Sequence, residues 1–426
     1  MNNTDEFSFT VRKRQRKKDS YTLFYIHMVS QKWLSEHEVD RPFWEHIIRI
    51  IIPHNIQAST ALLLIRGENN GSYVDVMHTA PSHLIETACD TRSIISEVFM
   101  IPNQPLRFKD ELKEPYITHG RIEDEIIAYS WDKFLDTKNP QWCPRLPMMK
   151  AIMRAMDTIQ NVVQEDFFPN HNPIEDFVIA GASKRAWAAW ITAANDPRVR
   201  AIIPISFDIS DIKESFSQHY RTYGSWSLPL HSYIDIRLPE RWDSQAFQEL
   251  MAIEGPYQLK DRIAIPKFFI VSTGDEIFPP GNLSSYIHSL PGKTSLLVIS
   301  NSGHRIDESR YWPALSAYYS CIIQPDERLP PTISWEIEKG KITLRSSQPP
   351  KDVLFWTAMS PYNHDFRHHT VGDAWNSTRV APLENGDYQA FLPKSSQGTH
   401  YAGYLQCSFQ LDNKMTYLCS TELFYS

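Results

Sequence analysis

The chain has 426 residues, 42% apolar and 22% charged, with a formal net charge of −7. That length allows a large core, so a catalytic domain with a smaller module is expected. The composition excludes a fibrous or disordered chain, and the modest acidic balance disfavours a nucleic-acid binder.

In chain order, residues 1–20 are expected to form a basic polar arm. Its run VRKRQRKKD (11–19) reads as a solvated tail in preference to an anionic-surface or targeting segment. These residues lack the apolar h-region of a classical signal peptide. No later stretch reaches the ~18 uninterrupted apolar residues of a transmembrane span, so a soluble chain is expected.

Residues 21–324 are expected to form one α/β domain. ALLLI (61–65), IISEVFM (94–100), DFVIA (176–180), VRAIIPIS (199–206), PKFFIVS (266–272) and TSLLVIS (294–300) are strand-like. Amphipathic stretches such as PMMKAIMRAMDTIQNVV (147–163) lie between them. Strands alternating with helices imply a doubly wound, mostly parallel sheet. Residues 207–262 break the rhythm with HYRTYGSWSLPLHSY and QAFQELMA, and are expected to form a lid-like insertion.

QPDERLPPT (324–332) reads as a linker. Residues 331–426 then alternate with period two, in TISWEIEKGKITLRS, DVLFWTAMS and YAGYLQCSFQLDNKMTYLCS, which predicts an immunoglobulin-like β-sandwich. The five cysteines are widely spaced, with no C-x-x-C. Cys407 and Cys419 flank a turn at Asp412-Asn413, where two buried thiols are expected over a disulfide.

The chemistry centres on DFVIAGASKRAWAAW (176–190). A strand that runs through Gly181-Ala182-Ser183 into a helix has the form of a nucleophile elbow, G-x-S-x-G, with Arg185 in place of the second glycine. A Ser at a helix N-cap is the plainer alternative. A serine nucleophile needs a histidine base and a carboxylate to orient it, following it in chain order. TGDEIFPP, after one strand, supplies Asp275, and NSGHRID, after the next, supplies His304. Glu276 and Asp208 are the alternative acids. Lys184 N–H and an amide of Glu68 or Asn69, in RGENNG (66–71), are the candidate oxyanion donors. His219 and His231 are expected at the surface or lining the substrate site. HDFRHH (364–369) resembles metal-ligand spacing but reads as a solvated turn, and no metal or organic cofactor is called for.

With SQKW (30–33), WEHIIRIIIP (44–53), LLLIRGENN (62–70), EDEIIAYSWDKFL (123–135), GASKRAW (181–187), AANDPRVRAIIP, IPKFFIVSTGDEIFPP (265–280) and NSGH (301–304), the chain resembles the PhoPQ-activated pathogenicity-related proteins, the family that includes the autocrine proliferation repressors. The resemblance implies an α/β-hydrolase domain followed by a small β-domain, and carries the catalytic roles to Ser183, Asp275 and His304. The chain departs from the family's usual pattern at Arg66-Gly67-Glu68-Asn69, where two glycines are common, and at Ala186, usually glycine. Members are typically exported, which leaves a cytoplasmic location or a specialised secretion route in keeping with the family's virulence associations.

The expected function is a serine hydrolase acting on carboxylic esters, with a small-molecule or lipid ester as substrate and peripheral membrane contact through the basic arm. A lipase or phospholipase activity would fit the aromatic-rich insertion. An aminopeptidase or dipeptidyl-peptidase activity would need acids to hold a substrate amine, for which Glu68, Glu123 and Asp124 are candidates. A binding or signalling protein that has lost turnover is the alternative outside enzymes.

Overall fold

The computed structural model describes residues 6–17, 20–72, 76–77, 80–167, 174–324, 330–361, 364–394 and 398–426. Residues 18–19 of the basic run and 325–329 of the linker lie outside them. The chain divides into two compact units, residues 1–202 with 231–263, and residues 203–230 with 264–426.

The first unit opens with strands β1 (Ser8–Lys17), β2 (Tyr21–Lys32) and β3 (Phe43–Pro53), paired antiparallel in succession. The basic run is therefore largely an edge strand, which corrects the solvated-tail reading. Its backbone pairs with β2 while Arg12, Arg14, Arg16 and Lys17 are exposed, an arrangement that blunts an exposed sheet edge. Strands β4 (Thr60–Ile65), β5 (Ile95–Val98) and β6 (Asp176–Ala182) follow. β4 lies between β5 and β6, parallel to both, and β3 joins β5 antiparallel. Every residue of β4 and β5 is buried, the pattern expected of strands covered on both faces.

Helices α1 (Ser82–Thr91), α2 (Asp124–Thr137), α3 (Arg145–Phe167) and α4 (Lys184–Asn195) alternate with the later strands. The α3 methionines Met148 and Met156 are fully buried, so they serve the core. Strand β7 (Val199–Ile205) begins in this unit and ends in the second.

Part of the insertion belongs to each unit. Helix α5 (Ile212–Tyr223) lies in the second unit and α6 (Gln245–Glu254) in the first. The α6 end is tied down by α4, because Trp187 Nε1 donates to Glu254 O at 2.6 Å and Trp190 Nε1 to Pro256 O at 3.0 Å. Glu254 is fully buried with Arg145, whose guanidinium stacks 3.3 Å from the Trp187 ring centre. This accounts for the tryptophan spacing of α4.

In the second unit, β8 (Lys267–Ser272) and β9 (Thr294–Ile299) are parallel, and α7 (Glu308–Ile322) follows. The C-terminal region forms two antiparallel sheets. One contains β10 (Ile333–Glu338), β11 (Lys341–Ser346) and β14 (Tyr388–Phe391). The other contains β12 (Asp352–Ser360), β13 (Asn376–Arg379), β15 (His400–Gln410), β16 (Thr416–Ser420) and β17 (Phe424–Tyr425). Cys407 and Cys419 face each other in the β15–β16 register as free, buried thiols. The second of these sheets is tied to β9, since Val298 N donates to Ser420 Oγ and Tyr404 Oη to Val298 O. The parallel strands with their helices make the α/β fold, and the antiparallel sheets its β-module.

Candidate active site

Strand β6 ends at Ala182 and α4 begins at Lys184, leaving Ser183 alone on the turn. Ser183 has φ 56° and ψ −125°, backbone that an L-residue adopts only under constraint, and its side chain makes no capping hydrogen bond. An ordinary N-cap has extended backbone and an engaged oxygen, so Ser183 does not behave as one. The turn is tight: a Cβ at Gly181 would lie 2.9 Å from the Arg185 backbone.

Arg185 stands where the elbow motif has its second glycine. Its Nη2 pairs with Glu123 Oε1 at 2.5 Å and its Nε donates to Ile101 O at 2.8 Å. Lys184 is buried, with Nζ 2.8 Å from Glu123 and 3.0 Å from Asp124. Burial pushes the Glu123 carboxyl up, but Arg185 and Lys184 outweigh it and hold the group down at about 2. Glu123 and Asp124 are thus neither solvated charges nor free to hold an amine.

The early loop touches the same helix start. A Cβ at Gly67 would fall 2.4 Å from Arg185 Nη2, so a side chain there would displace the guanidinium. Glu68 follows with φ 68° and an exposed side chain. The N–H groups of Glu68 and Asn69 have no hydrogen-bond acceptor among the described residues. The Asn69 side-chain oxygen accepts from Gln104 at 3.3 Å. The first N–H of α4, on Lys184, has no intrahelical partner by construction.

In the second unit, His304 Nδ1 lies 3.0 and 2.9 Å from the two carboxylate oxygens of Asp275. Asp275 Oδ1 also accepts from the N–H groups of Ile277 at 2.7 Å and Phe278 at 2.9 Å, which fixes the buried carboxylate. The other two acids are engaged elsewhere. Glu276 Oε2 accepts the backbone N–H of His304 at 2.8 Å. Asp208 accepts from Ser210 N, Ser210 Oγ, Ser215 Oγ and Asn282 Nδ2 and, among the described residues, from no histidine.

His219 is a core residue and not a surface or lining group. Its Nδ1 donates to Ile277 O at 3.0 Å, its Nε2 accepts from Ser227 N at 3.2 Å, and burial lowers its pKa. His231 is exposed. HDFRHH is more than a solvated turn, because Asp365 and Phe366 are buried. Among the described residues no group of three or more His, Cys, Asp or Glu is arranged to hold a metal ion. No helix of the described residues is long and apolar enough to cross a membrane. Sequence reasoning missed Tyr223, whose hydroxyl donates to Asp275 O at 2.7 Å, and Trp375, bound to Asn301; neither carries a local motif.

Residues 1–367 match the family described as PhoPQ-activated pathogenicity-related protein. Autocrine proliferation repressor protein A of Dictyostelium discoideum is 28% identical over 437 residues, covering 95% of this chain and 85% of the relative. Among solved structures, an acetyl xylan esterase from Paenibacillus sp. R4 aligns with a TM-score of 0.49 at 12% identity, covering 74% of this chain and 88% of that one. Acetyl xylan esterase 1 from Thermoanaerobacterium sp. JW/SL YS485 aligns with a TM-score of 0.46 at 14% identity, covering 74% and 87%.

Proposed function

The chain belongs to the PhoPQ-activated pathogenicity-related protein family, and from that premise we propose that it is a serine hydrolase cleaving carboxylic esters through an acyl-enzyme. The carrying observation is the Asp275–His304 pair, with Nδ1 turned to a fixed carboxylate; within the other unit, Ser183 is held at φ 56° with no capping role. In this reading His304 Nε2 removes the Ser183 proton as Oγ attacks the ester carbonyl. Asp275 holds the Nδ1–H tautomer and stabilises the imidazolium. The N–H groups of Lys184 and of Glu68 or Asn69 receive the oxyanion. The leaving alkoxide takes the proton from His304, and water, activated by the same imidazole, releases the acid and restores Ser183.

Esters are favoured over peptides with a free amine, because Glu123 and Asp124 are engaged with Lys184. A lipid ester is the substrate class we favour. Five of the six residues 12–17 are cationic, and they lie along the edge strand β1. Arg12, Arg16 and Lys17 are exposed on that strand, which suits an anionic surface.

A fluorophosphonate probe tests the chemistry. The intact protein should label, and Ser183→Ala and His304→Ala should not. A folded intact protein that stays unlabelled would overturn the reading and favour a binding protein on the same fold.

A further inference from the structure

One segment of the C-terminal module reaches both loops that carry the Asp275–His304 pair. On the acid loop, His368 N donates to Gly274 O at 3.3 Å. A Cβ at position 274 would lie 2.5 Å from His368 N and 2.9 Å from Ser302 O, so the approach requires glycine. Tyr223, the donor to Asp275 O, is itself covered by the module: the Arg367 guanidinium lies 4.2 Å from its ring centre. Burial and the nearby Asp275 carboxylate push the Tyr223 phenol well above its ordinary range, so it remains a donor. Arg367 is in turn fixed by Asp365, with Nε 2.9 Å from Oδ1 and Nη2 2.6 Å from Oδ2.

The base loop is gripped by the same segment. Asn301 Nδ2 donates to Trp375 O at 3.0 Å, and Trp375 N donates to Asn301 Oδ1 at 2.9 Å. This two-way bond holds Asn301, at φ 48°, three residues before His304. The loops also lock to each other, with Gly274 N donating to Ser302 O and His304 N to Glu276 Oε2. A Cβ at Gly303 would sit 2.9 Å from that same Glu276 oxygen.

We infer that residues 365–375 of the C-terminal module are a positioning element for the Asp275–His304 pair, which makes the module part of the catalytic apparatus and not an appended domain. The inference rests on the reading of these residues as acid and base. In this inference residues 365–375 act by fixing the loops that carry the pair. Small displacements of such a pair cost rate steeply, since proton transfer and tautomer control depend on hydrogen-bond geometry.

The test uses the full chain and two readouts, the downfield proton NMR signal of an imidazole Nδ1–H shared with a carboxylate, and steady-state kinetics on a soluble aryl ester. Asn301→Ala and Gly274→Ala should weaken or abolish the signal and lower kcat roughly tenfold or more, with KM little changed. Arg367→Gln should do so partly, and Arg367→Lys, which keeps the cation over Tyr223, should recover part of the loss. Glu422 ties the same module elsewhere, accepting from His288 and Trp335 at 3.0 Å each. Glu422→Gln should therefore lower Tm while leaving the signal and kcat unchanged.

Signal and kcat preserved in folded Asn301→Ala and Arg367→Gln would overturn the inference, as would equal losses in Glu422→Gln. If Gly274→Ala does not fold, those two variants decide. A signal that responds as expected in a protein that never labels with fluorophosphonate would uphold the positioning and sink the hydrolase reading.

Discussion

Arg185 and Glu123 form a 2.5 Å ion pair at the first turn of the helix that follows Ser183, in the place where a glycine would complete the elbow motif. Glu123 also faces Lys184 at 2.8 Å, so one carboxylate balances two cations, the lysine buried. The Arg185 substitution is therefore a built feature of the turn.

Removing that carboxylate takes the ion-pair partner from Arg185 and leaves Lys184 with Asp124 alone. Glu123→Ala should destabilise the protein by about 2 kcal/mol or more and lower kcat/KM by shifting Lys184. Glu123→Gln should retain part of the stability. Denaturant unfolding and ester kinetics on the same preparations check this. Because the folded carboxyl titrates at about 2, its stabilisation is full above its ordinary pKa and is lost as pH falls from roughly 4.5 toward 2.

His46 sets a second pH dependence, at a milder pH. It is fully buried, bonded to Ser30 Oγ at 2.9 Å and to Phe99 O at 3.1 Å, and burial lowers its pKa to about 4. Between roughly pH 6.5 and 4 the unfolded chain binds a proton that the folded one refuses, so stability falls as pH drops through that window. The loss should be on the order of 3 kcal/mol at its lower end. Melting curves from pH 7 to 4 should show a shallower decline for His46→Asn than for the parent, whatever the offset between them at pH 7.

The cationic edge strand leads to a binding prediction. The full chain should co-sediment with vesicles containing phosphatidylserine and not with pure phosphatidylcholine, and salt should reverse it. Each basic residue near an anionic surface contributes about 1 kcal/mol. Replacing Arg12, Arg14 and Arg16 together by Gln should thus reduce binding at least tenfold without changing hydrolysis of a soluble ester. Unaltered sedimentation would remove the membrane from the picture.

Much of the fold was legible because of how its strands are buried. β4 and β6 to β9 lie among packed elements and read as short apolar runs, with helical periodicity between several of them. The turn at Ser183 and the loops bearing Asp275 and His304 were legible from the same alternation, because each follows the end of such a run. The first three strands were not. Four of the ten β1 residues are exposed cations, and its assignment rests on backbone bonds to β2 that leave no mark on residue type.

The choice among Asp275, Glu276 and Asp208 as partner of His304 needed coordinates. All three are carboxylates near a strand end, and only the hydrogen bonds distinguish the one facing Nδ1 from the one holding a backbone N–H and the one consumed by serines and Asn282. The same holds for HDFRHH, where composition suggested a solvated turn and packing made it a brace. By itself the sequence determined the family and the alternation of strand and helix, and named the candidate side chains. The tertiary structure decided which of them are paired, because contacts such as Asn301–Trp375 and Tyr223–Arg367 join residues 74 and 144 positions apart, where geometry and not local pattern selects the partner.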